Sequence, residues 1–126
     1  SGWVGTKLDD LRYGRPRTTH LSGAVGHEQG GGPTTEFVAM NMNRRVVILE
    51  FPGGDAKKVR TIEGPYLFGA GEHLTPVTLE LRDINHDGLP DLLVGIKNEQ
   101  LAYINQPDGF RLITAEEQKQ VQNSSR

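Results

Sequence analysis

The stretch Asp83-Ile84-Asn85-His86-Asp87-Gly88-Leu89-Pro90-Asp91-Leu92 decides how the chain is read. Oxygen-bearing side chains stand at loop positions 1, 3, 5 and 9, which are Asp83, Asn85, Asp87 and Asp91. That alternation lets a tightly curled backbone aim each of them at one cation. Position 7, Leu89, would offer its backbone carbonyl, because a hard ion accepts that oxygen whatever the side chain. Gly88 follows the third oxygen ligand, where a sharp turn calls for positive φ at little cost. Three carboxylates packed this closely would raise one another's pKa in the absence of a cation. The pattern therefore predicts a metal site. Calcium is favoured over magnesium because four side chains and a carbonyl make a mostly protein-built cage.

A polar β-turn would account for any two of these residues, since Asn, Asp, Gly and Pro are the common turn formers. It has no need of three acids and an amide in alternation. An EF-hand would need a bidentate Glu at position 12, and that place is Val94. The flanks, Val77-Thr78-Leu79-Glu80-Leu81 before and Leu92-Leu93-Val94-Gly95-Ile96 after, are strand-like. The expectation is a strand-loop-strand site.

With these flanks the segment resembles the FG-GAP or VCBS repeats that form blades of integrin-type β-propellers. The resemblance implies calcium held between the first two strands of a blade, by Asp83, Asn85, Asp87, the Leu89 carbonyl and Asp91. The full motif occurs once. The N-terminal arm and the connector at 64–76 are similar, more loosely, to those of bacterial extracytoplasmic proteins that carry such repeats behind a membrane anchor.

Composition sets the outer bounds. A chain of 126 residues suits one domain with a modest core. A net charge of -2 with 24% charged residues lacks the basic excess of a nucleic-acid binder. Sixteen glycines and seven prolines predict many turns and an all-β chain, and the absence of cysteine removes disulfides and thiolate metal sites. The chain begins Ser1-Gly2 without Met, which predicts that a tag, signal or membrane anchor preceded it. A weak calcium loop is most useful where calcium is abundant, so an extracytoplasmic, secreted or cell-surface location is expected.

Along the chain, Trp3, Leu8, Leu11 and Tyr13 are expected to cover a sheet edge while Arg12, Arg15 and Arg17 pair with Asp9 and Asp10. Strands are predicted at 21–26, 36–42 and 45–51, with Asn43-Arg44 as a turn. Another is predicted at 57–63, with Val59 and Thr61 on one face and Lys58, Arg60 and Ile62 on the other. A connector at 64–76 contains Tyr66, Leu67 and Phe68.

The halves repeat. Sliding Asn43 onto Asn98, an offset of 98 − 43 = 55, superposes Phe37-Val38-Ala39 on Leu92-Leu93-Val94 and residues 46–49 on 101–104. It also lays Pro52 on Pro107 and Gly54 on Gly109. Without gaps, Glu28 falls on Asp83, Gly30 on Asn85, Gly32 on Asp87 and Glu36 on Asp91. The first loop then reads as an equally long copy whose middle ligands became glycine. Such a period marks repeat architecture. The expected fold is all-β, two tandem antiparallel blade-like sheets packed as one compact domain over 1–114. Repeat one spans about 20–64 and repeat two about 75–114. The tail at 115–126 is a short helix or a polar tail, with Thr114 and Glu117 spaced as a capping box.

Enzyme signatures are missing: no helical His pair, no Cys nucleophile and no nucleophile elbow. His20, His27, His73 and His86 are expected in exposed loops, where His27, Glu28, Glu72 and His73 offer the residue types of a second metal site. Gly30-Gly31-Gly32 lacks the following helix and Lys of a phosphate loop. The expectation is a non-enzymatic, calcium-binding module for scaffolding, adhesion or protein recognition, with a protein or glycan partner and no nucleic acid. The alternative is an accessory domain of a hydrolase or carbohydrate-processing protein with its site at 64–76. Because propellers ordinarily close with at least four blades, a homo-oligomer that completes a ring is a third reading.

Overall fold

A computed structural model describes residues 18–124, and the aromatic and basic residues of the first seventeen positions lie outside them. The chain forms two four-stranded antiparallel sheets, each a meander in which sequential strands are neighbours. Sheet 1 holds β1 (Thr18–Gly23), β2 (Thr35–Met42), β3 (Arg45–Phe51) and β4 (Arg60–Tyr66). Sheet 2 holds β5 (Val77–Arg82), β6 (Asp91–Ile96), β7 (Glu99–Gln106) and β8 (Gly109–Leu112). A helix, α1 (Ala115–Ser124), follows β8.

Alternation chooses the buried face. On β2, Phe37 and Ala39 are fully buried while Val38 and Met40 between them are only half-buried. Val46 and Ile48 continue that face on β3, and Ile62 on β4. From sheet 2 come Val77, Leu92, Val94, Ile96 and Tyr103, and the two sets form one apolar core with Val25. Neither sheet could bury its face alone. Burying a side chain such as Phe37 is worth roughly 1.5–3 kcal/mol, so the two faces stabilise each other.

Close approach and polar ties set how the sheets meet. β1 packs closely on β5 at Gly23, where a Cβ would stand 2.4 Å from Leu81 Cδ1 and the leucine side chain would have to shift. The Thr19 hydroxyl donates to the Val77 carbonyl, and the Tyr103 hydroxyl to the Glu63 carbonyl at 3.1 Å. Asn41 Nδ2 donates to the carbonyls of Glu72 and Thr75, both at 2.9 Å, tying the chain that links the sheets back onto β2.

The hairpin turn Asn43-Arg44 forms as expected, with φ of 52° and 82°, the geometry that matches strand twist in a tight hairpin. The fourth strand differs from its expectation. Ala56–Lys58 forms a 3-10 turn because the Asp55 carboxylate accepts the Lys57 N–H at 2.9 Å. The strand begins only at Arg60, which leaves Val59 outside it and 45% exposed, and within it Ile62 is buried and Thr61 exposed. It also runs on through Gly64 and Pro65 to Tyr66, across a register shift opposite Arg45 and Val47. A Cβ at Gly64 would lie 2.7 Å from Val46 Cγ1, so only glycine fits there.

The first loop also differs. Residues 24–34 lie between the paired ends Gly23 and Thr35, whereas residues 83–90 lie between Arg82 and Asp91. The two loops are therefore not equal in length, and an ungapped superposition fails across them. Glu28 is not a stand-in for Asp83. Its carboxylate accepts the N–H groups of Val25 and Gly26, each at 2.9 Å, and the Thr35 hydroxyl at 2.6 Å. Burial pushes its pKa up, but the Thr35 hydroxyl and the backbone donors outweigh it and hold the group at about 2.

The C-terminal segment is a helix over Ala115–Ser124. Glu117 N–H donates to Thr114 Oγ1 at 3.1 Å and Thr114 N–H to Glu117 Oε1 at 3.0 Å, a reciprocal capping box. Arg111 adds two parallel bonds to the same carboxylate at 2.8 and 2.6 Å. Gln118, Val121 and Gln122 line a groove with Leu93 and Ala102, so α1 lies beside the outer face of sheet 2.

Two outcomes are expected. Since the Glu28 pKa is lowered in the fold, its stabilisation is present above the ordinary value of 4.5 and is lost as pH falls toward 2. The urea midpoint of wild type should therefore drop more steeply than that of Glu28→Gln across that window, and parallel curves would refute the assignment. Thr114→Ala should cost about 1 kcal/mol and lower far-UV helicity without loosening sheet 1, read by amide exchange.

Candidate functional site

The loop at 83–90 leaves β5 and enters β6 at Asp91, so the strand pair fixes both ends of the predicted ligand set. Gly88 takes φ 92° as expected, and His86 also adopts positive φ, 59°. Asp83 accepts the N–H of Asp87 on Oδ1 at 3.2 Å and of Gly88 on Oδ2 at 2.9 Å. Asp87 Oδ1 accepts the Leu89 N–H at 3.0 Å. The loop is curled around its own first carboxylate. Burial works to raise the Asp83 pKa, and the N–H groups of Gly88, Asp87 and His86 win, leaving it below the usual value.

Asp91 sits in a different environment. It is fully buried, with Oδ2 accepting the Ile84 N–H at 3.0 Å and Oδ1 the Asn105 N–H at 2.9 Å. Burial raises its pKa above the ordinary aspartate range, and the charges of Asp87 and Asp83 push the same way against the two N–H donors. The three acids thus repel within one loop, which is the condition a bound cation relieves.

The donor set suits a hard cation: three carboxylates, the Asn85 amide and the Leu89 carbonyl are all oxygen. A carboxylate has about four acceptor sites, so one or two N–H bonds leave room for an ion. In this arrangement the acids are turned onto backbone N–H groups. Among the described residues no three His, Cys, Asp or Glu side chains gather as a ready metal cluster, so the inward aim expected for every ligand is not preformed. Asp83 and Asp87 would have to turn to share an ion with Asp91. Asn85 lies beside α1, lining a groove with Ile104 and Glu117, and Leu89 is 39% exposed.

One of the four histidines, His27, departs from its expected exposure, and His20 is exposed but on a strand instead of in a loop. His20 lies on β1 and pairs with Glu36. His27 is buried: its side chain is 1% exposed, and Nδ1 lies 2.5 Å from a Glu50 carboxylate that is 0% exposed. Its Nε2 faces Asn105 Oδ1 at 2.9 Å and the Gln106 carbonyl at 2.6 Å. His86 and His73 are exposed.

A second metal site from His27, Glu28, Glu72 and His73 does not form. Glu28 caps its own loop, and Glu72 pairs with Lys97 and the Thr75 hydroxyl. The aromatics at 64–76 are not core residues. Phe68 is 83% and Tyr66 43% exposed, their rings meet edge to face at 5.1 Å, and both line a groove with Pro65, Ile96 and Leu101.

The sequence reading missed Glu50 and Asn105, both buried. The 55-residue offset places them on equivalent positions, and each interrupts an apolar alternation, Val46-Ile48-Glu50 and Leu101-Tyr103-Asn105. That shared polar break was the available signal, and His27 spans the two.

No family model matches the chain, and neither a curated protein nor a solved structure matches it significantly.

Proposed function

We propose that this chain is a calcium-binding, non-enzymatic β-repeat module of an extracytoplasmic or cell-surface protein, used for scaffolding, adhesion or protein recognition, of the FG-GAP or VCBS kind. The observation that carries the reading is the strand-loop-strand segment from Asp83 to Asp91. There an all-oxygen ligand series meets a buried carboxylate whose proton affinity is raised by burial and by its neighbours' charges. Calcium suits it better than magnesium because the loop offers many protein oxygens on a pliable backbone, not a rigid octahedron. The ion would supply charge compensation and a clasp between β5 and β6. In the weak extracellular range, an ion at ten times its Kd stabilises by about 1.4 kcal/mol.

A second reading rests on the other end of the molecule. The exposed pair Tyr66 and Phe68 borders an apolar groove, as a contact for a protein or glycan partner would. This favours recognition over catalysis for the 64–76 segment, because that groove holds Glu72 and Glu99 but Glu72 is already paired with Lys97.

Calorimetric titration with calcium chloride should give one site with Kd on the order of 10⁻⁴–10⁻³ M. Asp87→Asn, an exposed loop change, should weaken it about tenfold, and Asp91→Asn should abolish the heat. Calcium should slow amide exchange across residues 77–96 more than across sheet 1. Equal protection with calcium and with chelator would sink the reading.

A further inference from the structure

We propose that the loop of the first repeat holds Asp91 and the adjoining end of the proposed metal loop in place, with Val25, Gly26 and His27 acting as positioning residues, chiefly through Asn105. The inference rests on the calcium reading above. Asn105 Nδ2 donates to the Val25 carbonyl in one loop and to the Pro90 carbonyl in the other, both at 2.8 Å. Its backbone N–H donates to Asp91 Oδ1 at 2.9 Å. Asn105 therefore grips the residue before the buried ligand and the ligand itself.

His27 determines which way that amide faces. Two carbonyls on one side of Asn105 require the NH2 group there, so Oδ1 is the acceptor and His27 Nε2 must carry the proton it donates. The imidazole is held in turn by Glu50 through Nδ1 and by the edge-to-face ring of Phe110 at 5.2 Å. Apolar contact completes the clamp. Leu89 leans over Gly26, where a Cβ would come within 3.2 Å of Leu89 Cδ2 and where φ is +91°. Residues 25–27 thus reach the end of the loop by two routes, through the Asn105 side chain to Pro90 and directly from Gly26 to Leu89.

A ligand already oriented pays less ordering entropy on binding, and outer partners of metal ligands typically change affinity 10–100-fold. Linkage makes the effect reciprocal: metal bound at 83–91 must steady residues 25–28.

The test uses the full chain and calcium chloride. In calorimetry, His27→Ala and Asn105→Ala should raise Kd about tenfold, and His27→Gln, which keeps a donor, should raise it less. His73→Ala at the far end should leave it unchanged. In wild type, calcium should slow amide exchange at residues 25–28 as well as 83–91, and in His27→Ala only at 83–91. A lowered urea midpoint with an unaltered Kd would mean a merely structural role and would overturn the proposal, as would calcium protection confined to 83–91 in wild type. That last measurement needs no variant and decides the matter even where a variant misfolds. If wild type takes up no calcium, the calcium reading fails by itself. The positioning role is then judged without metal: His27→Ala should speed exchange of the Ile84 and Asn105 amides that bond Asp91, and unchanged rates would refute it.

Discussion

The buried amide of Asn105 ties the loop of the first half to the loop of the second. The residue is 4% exposed, yet both polar ends of its side chain are satisfied: Oδ1 by His27 Nε2, and Nδ2 by the carbonyls of Val25 and Pro90. Leaving either end unpaired in this core would cost about 1–3 kcal/mol, comparable to burying one of the core's aliphatic side chains. The amide therefore fixes the relative placement of the sheets in a way that apolar contact, which has no direction, does not. Glu50 does the same from the opposite side by holding the imidazole, with Arg60 Nε 4.0 Å from its other oxygen.

Around that fixed point, each sheet contributes half of a core. The strands are short and alternate cleanly on β2 and β3, so their buried residues form a single face. On β6, by contrast, Leu92, Leu93 and Val94 are all buried, because one face meets sheet 1 and the other is overlain beside α1. β6 is the enclosed strand of sheet 2. The loop at 83–90 runs into its start, which is why Asp91 alone among the loop acids is fully buried.

Much of this was legible in the residues. The 55-residue offset located β2 and β6, and β3 and β7, because paired strands of a repeat keep their spacing when their hairpin turns do. It failed at the first loop and at β4, where nothing in an ungapped comparison senses an insertion and where the Asp55 cap and the glycine at 64 reset the strand. His27 does lie in a loop but is not exposed as expected, and its burial depends on Glu50 and Asn105, residues far away in sequence whose meeting no local pattern encodes. The loop at 83–91 was legible as a series of oxygen donors but not as a geometry, because which backbone N–H each carboxylate accepts is set by the folded loop and not by the spacing of the acids.

The helix at the C-terminus bears on assembly. A blade in a closed ring packs a sheet on each of its faces, and such a ring ordinarily needs four blades or more. Here the outer face of sheet 2 adjoins α1, which is anchored by the Thr114–Glu117 capping box and the two Arg111 bonds. Adding a blade on that side would require displacing the helix and exposing Leu93 and Ile104, each 3% exposed, before any new contact formed.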